Sequence, residues 1–207
     1  VGDEGGFAPH GSTNREALDL IVAAIEKAGY KAGDECFIAI DVATNELLNS
    51  TGSYNLPGDG REFTAEQLIN EYEKLANSYP IYSIEDGVSE HDWASWSSLT
   101  SRLGDRLQIV GDDLYTTNTQ LIEKGAKEKT SNSVLIKLNQ IGTVTETIAA
   151  VNLAKEKGWG TIISHRSGET EDTTIADLAV GTAAGQIKAG APSRGERVAK
   201  YNQLLRI

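Results

Sequence analysis

Val134-Leu135-Ile136-Lys137-Leu138 and Thr161-Ile162-Ile163-Ser164-His165 share one design: a few apolar, β-branched residues with an ionisable group at or near the end. Runs this short and this continuously apolar read as parallel strands covered on both faces. Four more follow the pattern: Cys36–Asp41, Ile81–Glu85, Leu107–Asp112 and Ala184–Ala189. The last is poor in strand-forming residues and is read as a strand from its place in the series.

Helical patterns separate the runs. Thr13-x-x-Glu16 and Thr64-x-x-Gln67 are capping boxes, and Gly29 stands where the first helix should stop. Leu18, Ile21, Val22, Ile25 and Ala28 form one apolar stripe; Leu68, Ile69, Tyr72 and Leu75 form a second; Trp93, Trp96, Leu99 and Leu103 form a third. Thr143-x-x-Glu146 opens another helix that closes at Gly158, and Ser193-x-x-Glu196 opens the last, towards Leu205. Thr44–Arg61 is polar and turn-rich, with Pro57-Gly58 and Asp59-Gly60, and reads as an excursion carrying a small hairpin. Alternating strands and helices mean βαβ units and a parallel sheet. Both a (β/α) barrel and an open doubly wound sheet satisfy that. The absence of G-x-G-x-x-G after any strand, and of a phosphate-loop motif, weighs against the second.

The ends of the runs carry the chemistry. Asp41, Glu85 and Asp112 close the first three; Lys137, His165 and Lys188 lie at or near the ends of the next three. Successive members are 44, 27, 25, 28 and 23 residues apart, one compact strand–helix unit each apart from the interval holding the excursion. In a barrel every strand C-terminus opens onto one face, so three acids and then three bases would converge there. Three neighbouring carboxylates repel unless a cation joins them. All-oxygen ligation suits a hard ion such as Mg²⁺, with a purely structural cation as the alternative. His10, His91 and His165 lack the H-E-x-x-H spacing of a zinc site. Lys137 could act as a base if a divalent cation and a second lysine favour its neutral form.

Two loops add to this. Gly2-Asp3-Glu4-Gly5-Gly6 sets adjacent acids among glycines, which suits a loop that closes over a ligand. Ser164-His165-Arg166-Ser167 follows a strand and offers a guanidinium fork and a hydroxyl for phosphate, and Asp172 stands where it could cap the next helix. Net charge is −11 with a pI near 4.7, which argues against a nucleic-acid or anionic-membrane binder. Cys36 is the only cysteine, so no internal disulfide forms, and no run of eighteen apolar residues predicts a membrane span.

Taken together, VGDEGGFAP, SIEDG, GDDL, IKLNQIGT, SHRSGETED, IKAGAPSRGER and KYNQLLRI resemble the enolase (phosphopyruvate hydratase) family, from Val1 to Ile207. The resemblance implies an α/β fold: an incomplete TIM-type barrel with about six of the usual eight strands. It implies one partial catalytic domain over residues 1–207, a piece of a longer chain whose N-terminal α+β domain and first barrel strands lie outside it. The implied reaction is dehydration of 2-phospho-D-glycerate to phosphoenolpyruvate in glycolysis, with Mg²⁺. Asp41, Glu85 and Asp112 would ligate the metal, and Glu85 and Asp112 would also border the substrate. Lys137 would abstract the proton next to the substrate carboxylate and Glu4 would protonate the departing hydroxyl. Arg166 and Ser167 would hold the phosphate, Lys188 the carboxylate, and His165 would line the pocket. A cytoplasmic homodimer is implied for the full-length protein. Two rivals remain at this point: a related lyase or racemase acting on a non-phosphorylated acid, and a non-catalytic protein on the same scaffold.

Overall fold

The computed structural model describes residues 1–9, 13–56, 58 and 60–207, which divide into two compact units. His10, Pro57 and Asp59 lie outside the described residues.

The first unit comprises His10–Val110 with Glu128–Ser131. Its first helix, α1 (Asn14–Lys27), begins with the expected capping box: Thr13 Oγ1 accepts from the Glu16 amide, and Thr13 N donates to Glu16 Oε2 at 2.8 Å. Gly29, at φ +89°, takes the left-handed conformation just past its end. The stripe is less covered than its pattern predicts. Only Leu18 is buried, and Ile21 is 44% exposed. Leu18 and Ile21 border a cavity of about 720 Å³ shared with strand β1 (Ile38–Asp41). Among the described residues, β1 pairs on one side only.

A 3₁₀ turn at Thr44–Leu47 leads to the expected hairpin, β2 (Tyr54–Leu56) against β3 (Arg61–Phe63). Helix α2 (Ala65–Ser78) starts at the Thr64 capping box and buries Leu68, Ile69, Tyr72 and Leu75 as its spacing predicts. Strand β4 (Ile81–Glu85) pairs in parallel with β1, and β5 (Gln108–Gly111) in parallel with β4. Between them α3 (Trp93–Leu103) buries Trp96, Leu99 and Leu103; Trp93 is only half-buried. Burying Trp96 costs no hydrogen bond, because its indole N–H donates to Ser89 O at 3.1 Å.

The second unit comprises Val1–Pro9, Gly111–Lys127 and Asn132–Ile207. It runs α4 (Thr119–Glu128), β6 (Ser133–Ile136), α5 (Leu138–Ile141), α6 (Val144–Glu156), β7 (Gly160–Ser164), α7 (Thr174–Gly181), β8 (Gly185–Lys188) and α8 (Gly195–Arg206). β6, β7 and β8 pair in parallel in that order. In each unit, strands adjacent in the βα series are adjacent in space. Neither contains the reversal of strand order that marks a doubly wound sheet.

Three expectations need correction here. The fourth run ends at Ile136, and Lys137 is the N-cap of α5 rather than a strand residue. The fifth ends at Ser164, so His165 is the first residue of the loop. Ser193 does not cap α8: Arg194 occupies the N-cap, and the Ser193 hydroxyl donates instead to Gly5 O at 2.6 Å. The sequence pattern also passes over α4. Its inner face carries Gly125, where a Cβ would stand 2.5 Å from Tyr115 Oη; a tyrosine ring fills the space an aliphatic stripe would occupy.

Candidate active site

Within the first unit, Asp41 and Glu85 are the last residues of β1 and β4 and are direct register partners. Side chains at matched positions of parallel neighbours leave the sheet on the same face. Two carboxylates therefore stand side by side at the C-terminal ends of adjacent strands, Glu85 buried and Asp41 exposed. Asp86 follows, buried and held at φ +46°, with its carbonyl accepting from the Thr44 hydroxyl at 2.8 Å. An all-oxygen donor pair of this kind fits a hard cation such as Mg²⁺ or Ca²⁺ and suits softer metals poorly.

Within the second unit, buried Asp112 directly follows β5, and its carboxylate is ion-paired with Lys137 Nζ. The pair belongs to a closed ring of contacts. Thr117 Oγ1 accepts from Lys137 N at 2.9 Å and donates to Gln140 Oε1 at 2.9 Å, while Gln140 Nε2 reaches Asp112 Oδ1 at 3.4 Å. Thr117 does this at φ +60°, a conformation a β-branched residue rarely adopts. Such backbone strain persists where the surroundings fix it, and here Thr117 holds the Lys137 amide where the chain passes from β6 into α5. Asn139, two residues on, accepts from Arg166 Nη1 at 2.9 Å and so ties the loop after β7 to α5.

The third group lies in the same unit. Gly2–Gly6 forms a tight turn closed by Gly2 N to Gly6 O at 2.8 Å and Gly5 N to Gly2 O at 3.0 Å. Gly5 has φ +83°, and a Cβ there would meet Ser193 Oγ at 2.7 Å. Only glycine permits both the dihedral and the approach. The turn presents Glu4, 42% exposed at its side chain. Its Oε1 accepts from Ser167 Oγ at 2.9 Å, and its Oε2 lies 3.4 Å from His165 Nε2. His165 is 2% exposed, and Nε2 has no hydrogen-bond partner. Burial pushes this imidazole below its usual pKa; Glu4 opposes the shift, and the Arg197 and Lys188 charges add to it. Lys188 ends β8, and its carbonyl accepts from His165 N at 2.9 Å.

The second unit thus brings Glu4, His165 and Ser167 into direct contact, Lys188 beside His165, and Asp112 onto Lys137. Arg166 is exposed and reaches the α5 segment. Asp41 and Glu85 are joined in the first unit. Sequence reasoning missed Thr117, Gln140 and Arg197. Arg197 and Lys200 are fully buried charges three residues apart on α8, a burial that composition does not show. Thr117 leaves no trace either, because left-handed threonine is invisible in composition. Chemically, the second unit offers an acid, a buried ring nitrogen, a hydroxyl and two ammonium groups: a setting for proton transfer on an anionic substrate.

No helix among the described residues is long and apolar enough to cross a membrane. Compared with known families, residues 1–207 match the model described as the enolase C-terminal TIM barrel domain.

Proposed function

Because the chain belongs to the enolase C-terminal TIM barrel family, and so to an enzyme of the enolase superfamily, we propose that it is the catalytic part of an enolase dehydrating 2-phospho-D-glycerate to phosphoenolpyruvate. The observation that carries this reading is the meeting of Glu4, Ser167 and His165, two contacts of 2.9 and 3.4 Å made across more than 160 residues of chain.

In the reaction Lys137 accepts the proton from the carbon bearing the phosphate ester. Its amine must first leave Asp112, because an ammonium paired to a carboxylate has no lone pair to offer. Hydroxide then departs from the neighbouring carbon and leaves as water with the proton of the Glu4 carboxyl. Arg166 and Ser167 face the phosphate, where a guanidinium fork and a hydroxyl supply directional donors. Lys188 holds the carboxylate. Asp41, Glu85 and Asp112 are the residues that would hold Mg²⁺. When bound, such an ion supplies the positive field that a carboxylate gaining further negative charge requires. The net charge of −11 does not oppose an anionic substrate, because the local cations decide its binding. The same reading makes the protein a cytoplasmic, homodimeric enzyme of glycolysis.

The test is direct. Full-length protein with 2-phosphoglycerate and Mg²⁺ should form phosphoenolpyruvate, chelation should stop it, and Lys137→Ala should abolish it. Turnover of only a non-phosphorylated hydroxy acid, or of nothing, rejects the assignment.

A further inference from the structure

Arg197 lies on α8 with no solvent exposure and spends its guanidinium on two loops. Nη1 donates to His165 Nδ1 at 2.6 Å and to Arg166 O at 2.8 Å. Nη2 donates to Ser167 O at 2.6 Å and to Asp3 O at 3.1 Å. Nε stands 3.6 Å from Glu196 Oε1, beyond hydrogen-bond range. All four terminal N–H bonds are therefore used. A guanidinium carries five N–H donors, no lone pair, and a charge it does not lose. The atom it faces on the ring must be the acceptor, so Nδ1 is bare and the neutral ring carries its hydrogen on Nε2.

We infer that Arg197 is a positioning residue that fixes His165 as the Nε2–H tautomer and, with the same fork, clamps the Gly2–Gly6 turn to residues 165–167. The ring hydrogen is thereby placed on the nitrogen that lies 3.4 Å from Glu4 Oε2, and Nε2, buried and without a hydrogen bond, is kept as a donor for a bound anion. The site for the arginine stem is built by Gly190: at φ +84°, a Cβ there would stand 2.7 Å from Arg197 Cδ and 2.8 Å from Glu4 O. Lysine cannot fill all of these roles, since one ammonium has three donors and the fork serves four acceptors. The purpose of the tautomer rests on the function proposed above; its existence does not.

Nitrogen-15 imidazole spectra of the full chain test this, with the His165 signals identified by their loss in His165→Gln. In the wild type, His165 should show a protonated Nε2 and a bare Nδ1 throughout its neutral range. In Arg197→Met, that single tautomer should give way to a mixture. A dominant Nδ1–H form in the wild type overturns the inference without any variant. So does an unmixed Nε2–H form in folded Arg197→Met. If Arg197→Met does not fold, the wild-type spectrum still decides. Turnover of 2-phosphoglycerate on the same samples reads the proposed function separately: an inactive wild type with the expected spectrum would refute that function while upholding the tautomer.

Discussion

Ser167 donates its hydroxyl to Glu4 Oε1 at 2.9 Å across 163 residues of chain. One carboxylate oxygen is thus fixed by a hydroxyl while the other faces the buried His165 ring at 3.4 Å. Glu4→Gln keeps the acceptor for Ser167 and removes only the acid. Its kcat should fall by about 100-fold or more, the usual worth of a placed general acid, with little change in thermal midpoint. Undiminished turnover would exclude Glu4 as the proton donor.

Lys137 and Asp112 are both largely buried, and removing one leaves the other's charge without its counter-charge in this pair. Lys137→Met should therefore lose both activity and stability, the latter by about 3 kcal/mol, as for other broken buried ion pairs. Adding Asp112→Asn should recover much of the stability and none of the turnover. A double variant no more stable than Lys137→Met would mean that the ion pair is not what stabilises this ring of contacts.

Arg166 is exposed and held by Asn139 rather than by packing, so Arg166→Ala should fold normally. The Michaelis constant for 2-phosphoglycerate should rise by about 10-fold or more, the loss of a charge-assisted hydrogen bond of about 1.5–3 kcal/mol. An unchanged constant would remove Arg166 from the phosphate site.

Asp172 sits where the site loop enters α7. The Thr174 amide donates to its carboxylate at 2.8 Å, and with the Thr174 hydroxyl it holds the carboxyl below its ordinary pKa. A depressed folded value means the stabilisation is present above the unfolded pKa near 4 and is lost as pH falls through the folded value. Wild type should therefore melt above Asp172→Asn at neutral pH, with the gap closing in acid. A gap independent of pH would contradict this.

Gly125 faces the Tyr115 ring with no room for a methyl group. Gly125→Ala should destabilise the protein by about 1–3 kcal/mol through overpacking, measured by denaturant unfolding. Because glycine is otherwise the poorer helix former, a gain in stability would show that the ring moves aside freely.

Much of this was legible because period and capping are local. The Thr13 and Thr64 boxes set α1 and α2 where the pattern put them, and Ile81–Glu85 is a strand over its full expected length. The fold-class reading rested on the βα series, and each unit keeps that order. Failures came where a distant partner intervened. Ser193 has a capping residue's identity, yet its hydroxyl serves Gly5, 188 residues away. Ile21 has a core position's spacing, but burial depends on what stands opposite. Among the proposed site residues, the strand-end acids and bases announced themselves by position. Arg197 did not, because its role comes from four acceptors that only the folded chain gathers.

Beyond its own two closing bonds, the turn bearing Glu4 is held by later sequence: Asp3 O by Arg197, Glu4 O by the Ala191 amide at 2.9 Å, and Gly5 O by Ser193. During synthesis this peptide leaves the ribosome long before its anchors exist. It must wait, without these anchors, until α8 has been translated. Glu4, the proposed proton donor, is thus made well before the groups that set it in place, so a nascent chain stalled short of α8 would hold every strand described here with that carboxylate still unplaced.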